Sequence, residues 1–273
     1  MGKRVAVAVI HGMGSQGPSF AEPMITEINQ WITKSRKNPD KIAWQPIYWA
    51  DVLETRQLKY LRDANRNNDL DYVKLRRFVV TALGDAVAYQ RVPSTNNSGD
   101  KTTYERIHER IARAINDLFQ NGLGGQSKPL IVMAHSLGGH IMSNYIWDMQ
   151  RGHAGAGLSA FERLHSLAGM VTFGCNIPLF TFAFTRIFPI KFPAPQLRPN
   201  LKEKAKWLNY YDPDDILGYP LKPISSSYRK VVTSDVAINV GGWLSSWNPA
   251  SHSKYWTDND FTKPVANFIT SFL

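Results

Sequence analysis

Leu130-Ile131-Val132-Met133 runs directly into Ala134-His135-Ser136-Leu137-Gly138. The apolar run predicts a short buried strand, and the small-x-Ser-x-Gly pattern after it predicts a nucleophile elbow, a strand-to-helix turn that presents a serine hydroxyl. Such a turn requires small residues two positions before and two positions after the serine, and Ala134 and Gly138 meet that requirement. We therefore expect Ser136 to be a nucleophile and the Leu137 N–H to point to the same place. The alternative is an idle serine in an ordinary turn.

A glycine-rich turn, His11-Gly12-Met13-Gly14, follows a predicted first strand, Val5–Ile10. Glycines at this point let the backbone turn tightly, so that one N–H can point at a developing oxyanion. A phosphate-binding turn of a dinucleotide fold is the alternative, because glycines after a first strand also serve that purpose. We favour the oxyanion interpretation.

Two later segments carry the remaining candidate residues. The acidic cluster Asp212-Pro213-Asp214-Asp215 follows a predicted strand, Lys206–Tyr211, and in open α/β sheets the carboxyl ends of the strands carry the catalytic groups. A solvated Asp-Pro turn is the alternative for this cluster. His252 follows the last predicted strand, at residues 231–240, and precedes a helix predicted at 263–272. It is the only one of seven histidines in a late loop after a strand pattern.

These residues give the chain a resemblance to the α/β-hydrolase superfamily, in particular to lipase/esterase-like serine hydrolases with a His-Gly-x-Gly oxyanion turn. The chain order Ser136, then Asp, then His252 is the order of that superfamily. Val171-Thr172-Phe173-Gly174 resembles the strand that follows the nucleophile helix in class 3-type lipases, and Asp215-Ile216-Leu217 resembles an acid loop. The resemblance spans residues 5–272.

The resemblance implies a catalytic triad of Ser136, His252 and Asp215, although Asp212 and Asp214 crowd the acid position and remain alternatives. It also implies an oxyanion hole made by the Met13 and Leu137 N–H groups. We predict an enzyme that cleaves carboxylic esters of small molecules or lipids through an acyl-enzyme, without a cofactor or a metal ion. A thioesterase, an acyltransferase and a catalytically silent scaffold that binds lipid or protein are the alternatives.

The fold class predicted from alternating strands and helices is α/β, with a mostly parallel central sheet and helices on both faces. We expect one domain over residues 1–273, with two insertions. The first, residues 51–103, has helical patterns. The second, residues 177–199, interleaves five phenylalanines with five prolines and is interpreted either as a lid or cap or as a buried loop over the sheet.

The net charge of +10 is the unusual feature of the composition. We find neither a motif nor a basic stripe for specific nucleic-acid recognition. Basic residues concentrate in the first insertion, which is interpreted as a solvated helix face, with peripheral contact to an anionic membrane surface as the alternative. The single cysteine, Cys175, forbids an internal disulfide. Without a signal-peptide pattern or a long apolar run, the sequence predicts a cytoplasmic protein.

Overall fold

The computed structural model describes residues 2–14, 16–68, 70–91, 101–153, 157–241 and 251–273, with the backbone alone for residues 67, 251 and 253. Most of the polar end of the first insertion, residues 92–100, therefore lies outside the described residues. The same is true of residues 248–250, which precede the predicted catalytic histidine.

The core of the molecule is a six-stranded sheet in which every pair of neighbouring strands is parallel. The three central strands are buried at every residue and are made of apolar runs, as expected for a sheet covered on both faces. The strands are β1 (Val5–Ile10), β2 (Ile42–Ile47), β3 (Leu130–His135), β4 (Leu167–Phe173), β5 (Lys206–Tyr211) and β6 (Ser234–Ala237), in the spatial order β2-β1-β3-β4-β5-β6.

Helices cover both faces of this sheet, which confirms the predicted α/β class. The helices are α1 (Glu22–Lys34), α2 (Asp51–Asn68), α3 (Val73–Ala88), α4 (Thr103–Asp117), α5 (Leu137–Gln150), α6 (Ile177–Thr181), α7 (Pro199–Lys202), α8 (Ser226–Val231) and α9 (Asn259–Thr270). On β4, a Cβ at Gly169 would meet Phe268 of α9 at 2.9 Å. Thr172 lies three residues further along β4, and a Cβ at Gly139 of α5 would lie 3.6 Å from its side chain. Because positions three apart on a strand point to opposite faces, α9 and α5 lie on opposite sides of the sheet.

The strand order reverses between β1 and β3, which are neighbours in the sheet although 119 residues separate their ends. Ligands of open parallel sheets bind at such a switch point, in the crevice beyond the carboxyl ends of the strands. The glycine-rich turn follows β1 and the predicted elbow follows β3, so both predicted catalytic loops lie at this crevice.

Two segments differ from the simplest alternation. The predicted last strand was too long, because Val231 ends α8 and the ladder with β5 begins only at Ser234. In the second insertion Phe182, Phe184 and Phe188 are exposed, whereas Phe192 is buried in the core. No helix in the described part of the chain is both long enough and apolar enough to cross a membrane.

Candidate active site

Ser136 lies at the junction of β3 and α5 in a strained backbone conformation, with φ 52° and ψ −126°. Its N–H donates to the Phe173 carbonyl on β4 at 3.0 Å, which fixes the turn to the neighbouring strand. The small residues predicted for the elbow are needed for close contacts, since a Cβ at Gly138 would lie 2.5 Å from the His11 carbonyl oxygen. A Cβ at Gly12 would lie equally close, 2.5 Å, to Ser136 Cβ. The elbow and the glycine-rich turn are therefore packed against each other without room for side chains between them.

The structure brings Ser136, His252 and Asp215 together. Ser136 Oγ donates to His252 Nε2 at 2.7 Å, and His252 Nδ1 donates to Asp215 Oδ2 at 2.8 Å. These residues lie 116 and 37 positions apart in the sequence, so only the fold makes this contact. Ser136 and Asp215 are buried and His252 is 9 % exposed. The chain of hydrogen bonds is therefore shielded from bulk water.

The three aspartates of the acidic cluster have different surroundings. Asp215 is the one that contacts His252. Asp212 is also buried, but its two carboxylate oxygens accept the N–H groups of Asp214 and Val240, at 2.9 and 2.8 Å. Asp214 is exposed. Asp212 thus organises the loop, and Asp215 is the aspartate of this cluster that contacts His252.

Asp215 is held by donors on both of its oxygens. Leu217 N–H donates to Oδ1 at 3.0 Å, and the Tyr255 hydroxyl donates to Oδ2 at 3.0 Å while accepting the Asp212 N–H at 2.8 Å. Burial acts to raise the pKa of Asp215, but the hydrogen bond and charge of His252, with the Leu217 and Tyr255 donors, outweigh it and hold the pKa below its usual range. Asp215 is therefore ionised at neutral pH.

Sequence reasoning missed Tyr255, although it lies three residues after His252 in the same short 3₁₀ helix, Ser251–Thr257. Residues three apart in a 3₁₀ helix share a face, so this spacing was the available signal. Gly174 completes the packing around the pair with a φ of +52°; a Cβ there would lie 3.2 Å from the His252 ring and 3.3 Å from Asp215 Oδ2. A larger residue at 174 would push the imidazole away from its carboxylate.

His11 anchors the glycine-rich turn as a neutral imidazole. Trp49 N–H donates to its Nε2 at 3.1 Å, so the ring proton is on Nδ1 and donates to the Gly12 carbonyl at 2.8 Å. Burial lowers the pKa of His11 to about 4, although the bond to Gly12 opposes the shift. The ring also stacks on Trp49, with 5.0 Å between centroids. The Gly12 carbonyl is thereby fixed.

The predicted oxyanion donors lie beside this anchor. Leu137 is the first residue of α5, so its N–H is one of the donors that have no acceptor within the helix, at the end that favours negative charge. The Met13 N–H belongs to the same peptide unit as the Gly12 carbonyl. The Met13 N–H thus belongs to the turn after β1, and the Leu137 N–H directly follows Ser136.

The alternative interpretation of the glycine-rich turn fits the structure less well. Gly12, Gly14 and Gly17 do have the G-x-G-x-x-G spacing, but α1 begins only at Glu22. The Gly14 N–H donates to the Asp85 carboxylate at 2.8 Å. A carboxylate at this place occupies the backbone donor and repels a phosphate. Sequence reasoning also missed Asp85, because it comes from the first insertion and belongs to no recognisable motif.

Two buried side chains near the site have supporting positions. His135 donates from Nε2 to the His252 carbonyl at 2.8 Å, and its ring lies 4.7 Å from the His252 ring. Burial, together with the nearby His252, holds the pKa of His135 well below its usual value, so it stays neutral. Cys175 is buried against Gly139, and burial raises the pKa of its thiol to about 12. The thiol therefore stays protonated, and Cys175 packs as a small apolar side chain.

No protein-family model matches the chain, and no curated protein matches it. Among solved structures, it is similar to a lipase-esterase related protein from Clostridium acetobutylicum ATCC 824, with a TM-score of 0.41 and 11 % sequence identity. The similarity covers 99 % of this chain and 95 % of that one. At this level of similarity, what the chain does has to be argued from its own residues.

Proposed function

We propose that the chain is a serine hydrolase of the α/β-hydrolase type and that it cleaves carboxylic esters, as esterases and lipases do. The observation that carries the proposal is the unbroken chain of hydrogen bonds from Ser136 through His252 to Asp215, at 2.7 and 2.8 Å. A hydroxyl, an imidazole and a buried carboxylate in this order form the arrangement that converts a weak alcohol into a nucleophile.

In the proposed reaction, Ser136 Oγ attacks the ester carbonyl while His252 Nε2 takes the hydroxyl proton. The oxyanion of the tetrahedral intermediate is bound by the Met13 and Leu137 N–H groups, and one such donor contributes roughly 3–4 kcal/mol. The bond to the alcohol then breaks as His252 gives it the proton, which leaves an acyl-enzyme. Water adds to the acyl carbon in the same way and restores Ser136 as the acid leaves. Asp215 remains ionised and keeps the His252 proton on Nδ1.

A cavity beside α5 that is partly lined by aromatic side chains supports an ester with a hydrophobic part as the substrate. The cavity has a volume of about 190 Å³, and its lining includes Trp147, Phe180, Phe184 and Tyr228 together with the polar side chains of His140 and Arg186. Ser136 does not itself line this cavity, but His140, which does, lies one helical turn further along α5. We propose that the cavity receives the acyl or alcohol group. Since Ser136 is fully buried, we also propose that the exposed part of the second insertion, residues 182–188, moves as a lid.

Thioester hydrolysis and acyl transfer to another alcohol would use the same residues and differ only in the leaving group or acceptor. A silent scaffold that binds lipid or protein is the candidate from another class. It does not need the Ser136–His252 hydrogen bond, and a labelling experiment separates it from an enzyme.

The test uses a fluorophosphonate probe together with p-nitrophenyl esters of graded acyl length. We expect wild-type protein to be labelled and to hydrolyse the esters, and Ser136→Ala to do neither. Ser166→Ala is the matched control, because Ser166 immediately precedes β4 at the opposite, amino end of the strands. Folded wild-type protein that is not labelled, even with detergent or lipid present, would favour the silent scaffold.

The lid is tested by changing Phe184 and Phe188 to Ser. Both side chains are exposed, at 64 % and 62 %, so the changes should leave the fold intact. We expect the preference for long over short acyl chains to decrease, because an apolar wall of the entrance has been removed. An unchanged preference would reject this part of the proposal.

We also propose a peripheral contact with an anionic membrane through the tip of the α2–α3 hairpin, residues 71–79. All nine of these consecutive residues are exposed, and the first buried residue of α3 is Thr81. The tip carries exposed apolar side chains at Tyr72, Val73, Leu75, Phe78 and Val79 together with Lys74, Arg76 and Arg77. Apolar and basic side chains on one exposed helix end suit an anionic lipid surface. The single cysteine fits a reducing compartment, so we propose the cytoplasmic side.

Sedimentation with vesicles tests this contact. We expect binding to vesicles that contain phosphatidylserine and little binding to neutral phosphatidylcholine vesicles. The double change Arg76→Glu and Arg77→Glu should abolish the difference. Arg36→Glu with Lys37→Glu is the charge-matched control, since both side chains are exposed on the loop after α1. Equal and negligible binding to both vesicles would dispose of the membrane contact without affecting the esterase proposal.

A further inference from the structure

A buried carboxylate from the first insertion touches the predicted oxyanion turn. Asp85 lies on the buried face of α3, with 3 % of its surface exposed. Its Oδ2 accepts the Gly14 N–H at 2.8 Å, across 71 residues of sequence, and its Oδ1 accepts Gln57 Nε2 of α2 at 2.8 Å. One side chain therefore joins both helices of the insertion to the turn that follows β1.

This contact costs free energy, because it keeps a carboxylate buried without a counter-ion. Both partners of Asp85 are neutral donors, and in the described part of the chain no cation forms an ion pair with it. Burial raises the pKa of Asp85 to about 6; the Gly14 and Gln57 donors oppose the shift and the negative charge of Glu54 adds to it. A buried carboxylate without a cation destabilises a fold unless its hydrogen bonds are well made.

The position of the contact explains what it can do. Met13 lies between two peptide units that are both held in place. The unit before it contains the Gly12 carbonyl and the Met13 N–H, and His11 Nδ1 holds that carbonyl at 2.8 Å. The unit after it contains the Met13 carbonyl and the Gly14 N–H, and Asp85 holds that N–H. Because each peptide unit is planar, fixing one polar group of a unit fixes the direction of the other.

We propose that Asp85 is a positioning residue of the active site: it holds the Gly14 end of the oxyanion turn so that the Met13 N–H points at the oxyanion. The proposal rests on the proposed serine hydrolase function. It makes the helical insertion a structural part of the catalytic site, because Asp85 and its partner Gln57 both come from it. Preorganised donors act on the transition state and not on the bound substrate, so loss of Asp85 should lower kcat and leave KM nearly unchanged.

The experiment compares Asp85→Ala with Asp85→Asn. In the alanine variant the Gly14 N–H loses its acceptor. An asparagine can still accept that N–H with its amide oxygen and donate to Gln57, whose amide can turn to present its oxygen. We expect kcat for a p-nitrophenyl ester to fall by at least about 10-fold in Asp85→Ala, less than the 10²–10³ seen when a whole oxyanion donor is removed. In Asp85→Asn it should stay within about 3-fold of wild type, by the same reasoning.

Thr81→Ala is the control for loss of stability in the insertion. Thr81 is buried on the same helix, and its hydroxyl donates within α3, to the carbonyls of Arg77 and Phe78. It should lower stability without lowering kcat. Hydrogen exchange gives a second readout: the amides of residues 12–14 should exchange faster in Asp85→Ala and not in Asp85→Asn.

If the fluorophosphonate labels wild-type protein and kcat is unchanged in Asp85→Ala, the proposed role of Asp85 is overturned and the proposed hydrolase function stands. An equal loss in the alanine and asparagine variants would overturn it too, since charge and not the hydrogen bond would then matter. An equal loss in Thr81→Ala would assign the effect to stability. A wild-type protein that no fluorophosphonate labels would instead overturn the proposed function itself.

Discussion

Replacing Asp215 with Asn keeps the size of the side chain, and the surrounding donors decide how the new amide must turn. An NH₂ group at the Oδ1 position would face the Leu217 N–H, donor against donor. At the Oδ2 position it faces His252 Nδ1, which can give up its proton, and the Tyr255 hydroxyl, which can rotate. The amide nitrogen should therefore point at His252. The imidazole proton then moves to Nε2, where the ring can no longer accept the Ser136 proton.

Two losses set the magnitude of this effect. The imidazolium that forms during the reaction loses its counter-charge; with the charge centres about 4 Å apart and an effective dielectric constant of about 20, that attraction is about 4 kcal/mol, or roughly 10³ in rate. The wrong tautomer of His252 adds to this loss, and the equivalent change in a serine protease lowers kcat about 10⁴-fold. We expect kcat/KM of Asp215→Asn to fall by roughly 10³ to 10⁴.

The assay is ester hydrolysis at pH 8 with fluorophosphonate labelling measured in parallel, and circular dichroism and thermal unfolding verify the fold. Asp214→Asn is the matched control, because it makes the same chemical change one residue away on an exposed side chain. A folded Asp215→Asn protein that keeps more than about a tenth of the wild-type kcat/KM would refute the assignment of the acid, since the Coulomb loss alone exceeds that.

Three further predictions follow from the same geometry. Asp212→Asn should cost about 1–3 kcal/mol of stability, because its amide must face the N–H of either Asp214 or Val240, while Asp214→Asn should change stability by less than about 0.5 kcal/mol; urea unfolding of both decides this. Gly12→Ala should abolish most activity, since its Cβ would lie 2.5 Å from Ser136 Cβ, whereas Gly17→Ala, with nothing within 4 Å, should be silent; equal activities would contradict the packing. Acid should destabilise the protein between pH 6.5 and 4. Burial lowers the pKa values of His11, His108 and His140 to about 4, so their stabilisation is present above pH 6.5 and is lost as pH falls, by about 2 kcal/mol each at pH 5. The pKa of Asp85, raised to about 6, acts in the opposite direction and adds back only about 1 kcal/mol of stability at pH 5. The urea midpoint should therefore be lower at pH 5 than at pH 7, and equal midpoints would contradict the prediction.

The elbow was predictable because its constraint is local. Ser136 needs a buried strand before it and small residues on either side, and all of these lie within nine consecutive positions. The burial of β3 was predictable for a related reason, since an unbroken apolar run is typical of a strand in a parallel sheet that is covered on both faces. The structure confirms the α/β class on this basis.

The choice among the three aspartates was not predictable from the pattern, because Asp212, Asp214 and Asp215 lie within four positions and have the same chemistry. Their roles separate only through contacts with distant residues, Val240 for one and His252 for another. The contact of Asp85 with Gly14 was hidden for the same reason: nothing near either residue in the sequence indicates the other. The predicted bounds of the last strand were wrong because residues 231–240 show no strict alternation of apolar and polar residues. Val231 belongs to α8, and β6 begins only at Ser234.

The backbone of Ser136 bears on the choice between an enzyme and a silent scaffold. Tyr72, also at positive φ, has ψ 40° and lies in the left-handed region that L residues can adopt. Ser136, with ψ −126°, lies outside the allowed regions, and such a conformation costs about 1–3 kcal/mol. A turn that served only to join β3 to α5 would be more stable with glycine at this position, because glycine has no Cβ to strain. The strained serine is instead aligned on His252 Nε2 at 2.7 Å. The strained backbone lowers stability, yet it directs the Ser136 hydroxyl to His252, which is in turn bonded to the buried Asp215 carboxylate. The proposed reaction explains this arrangement better than the stability of the fold does.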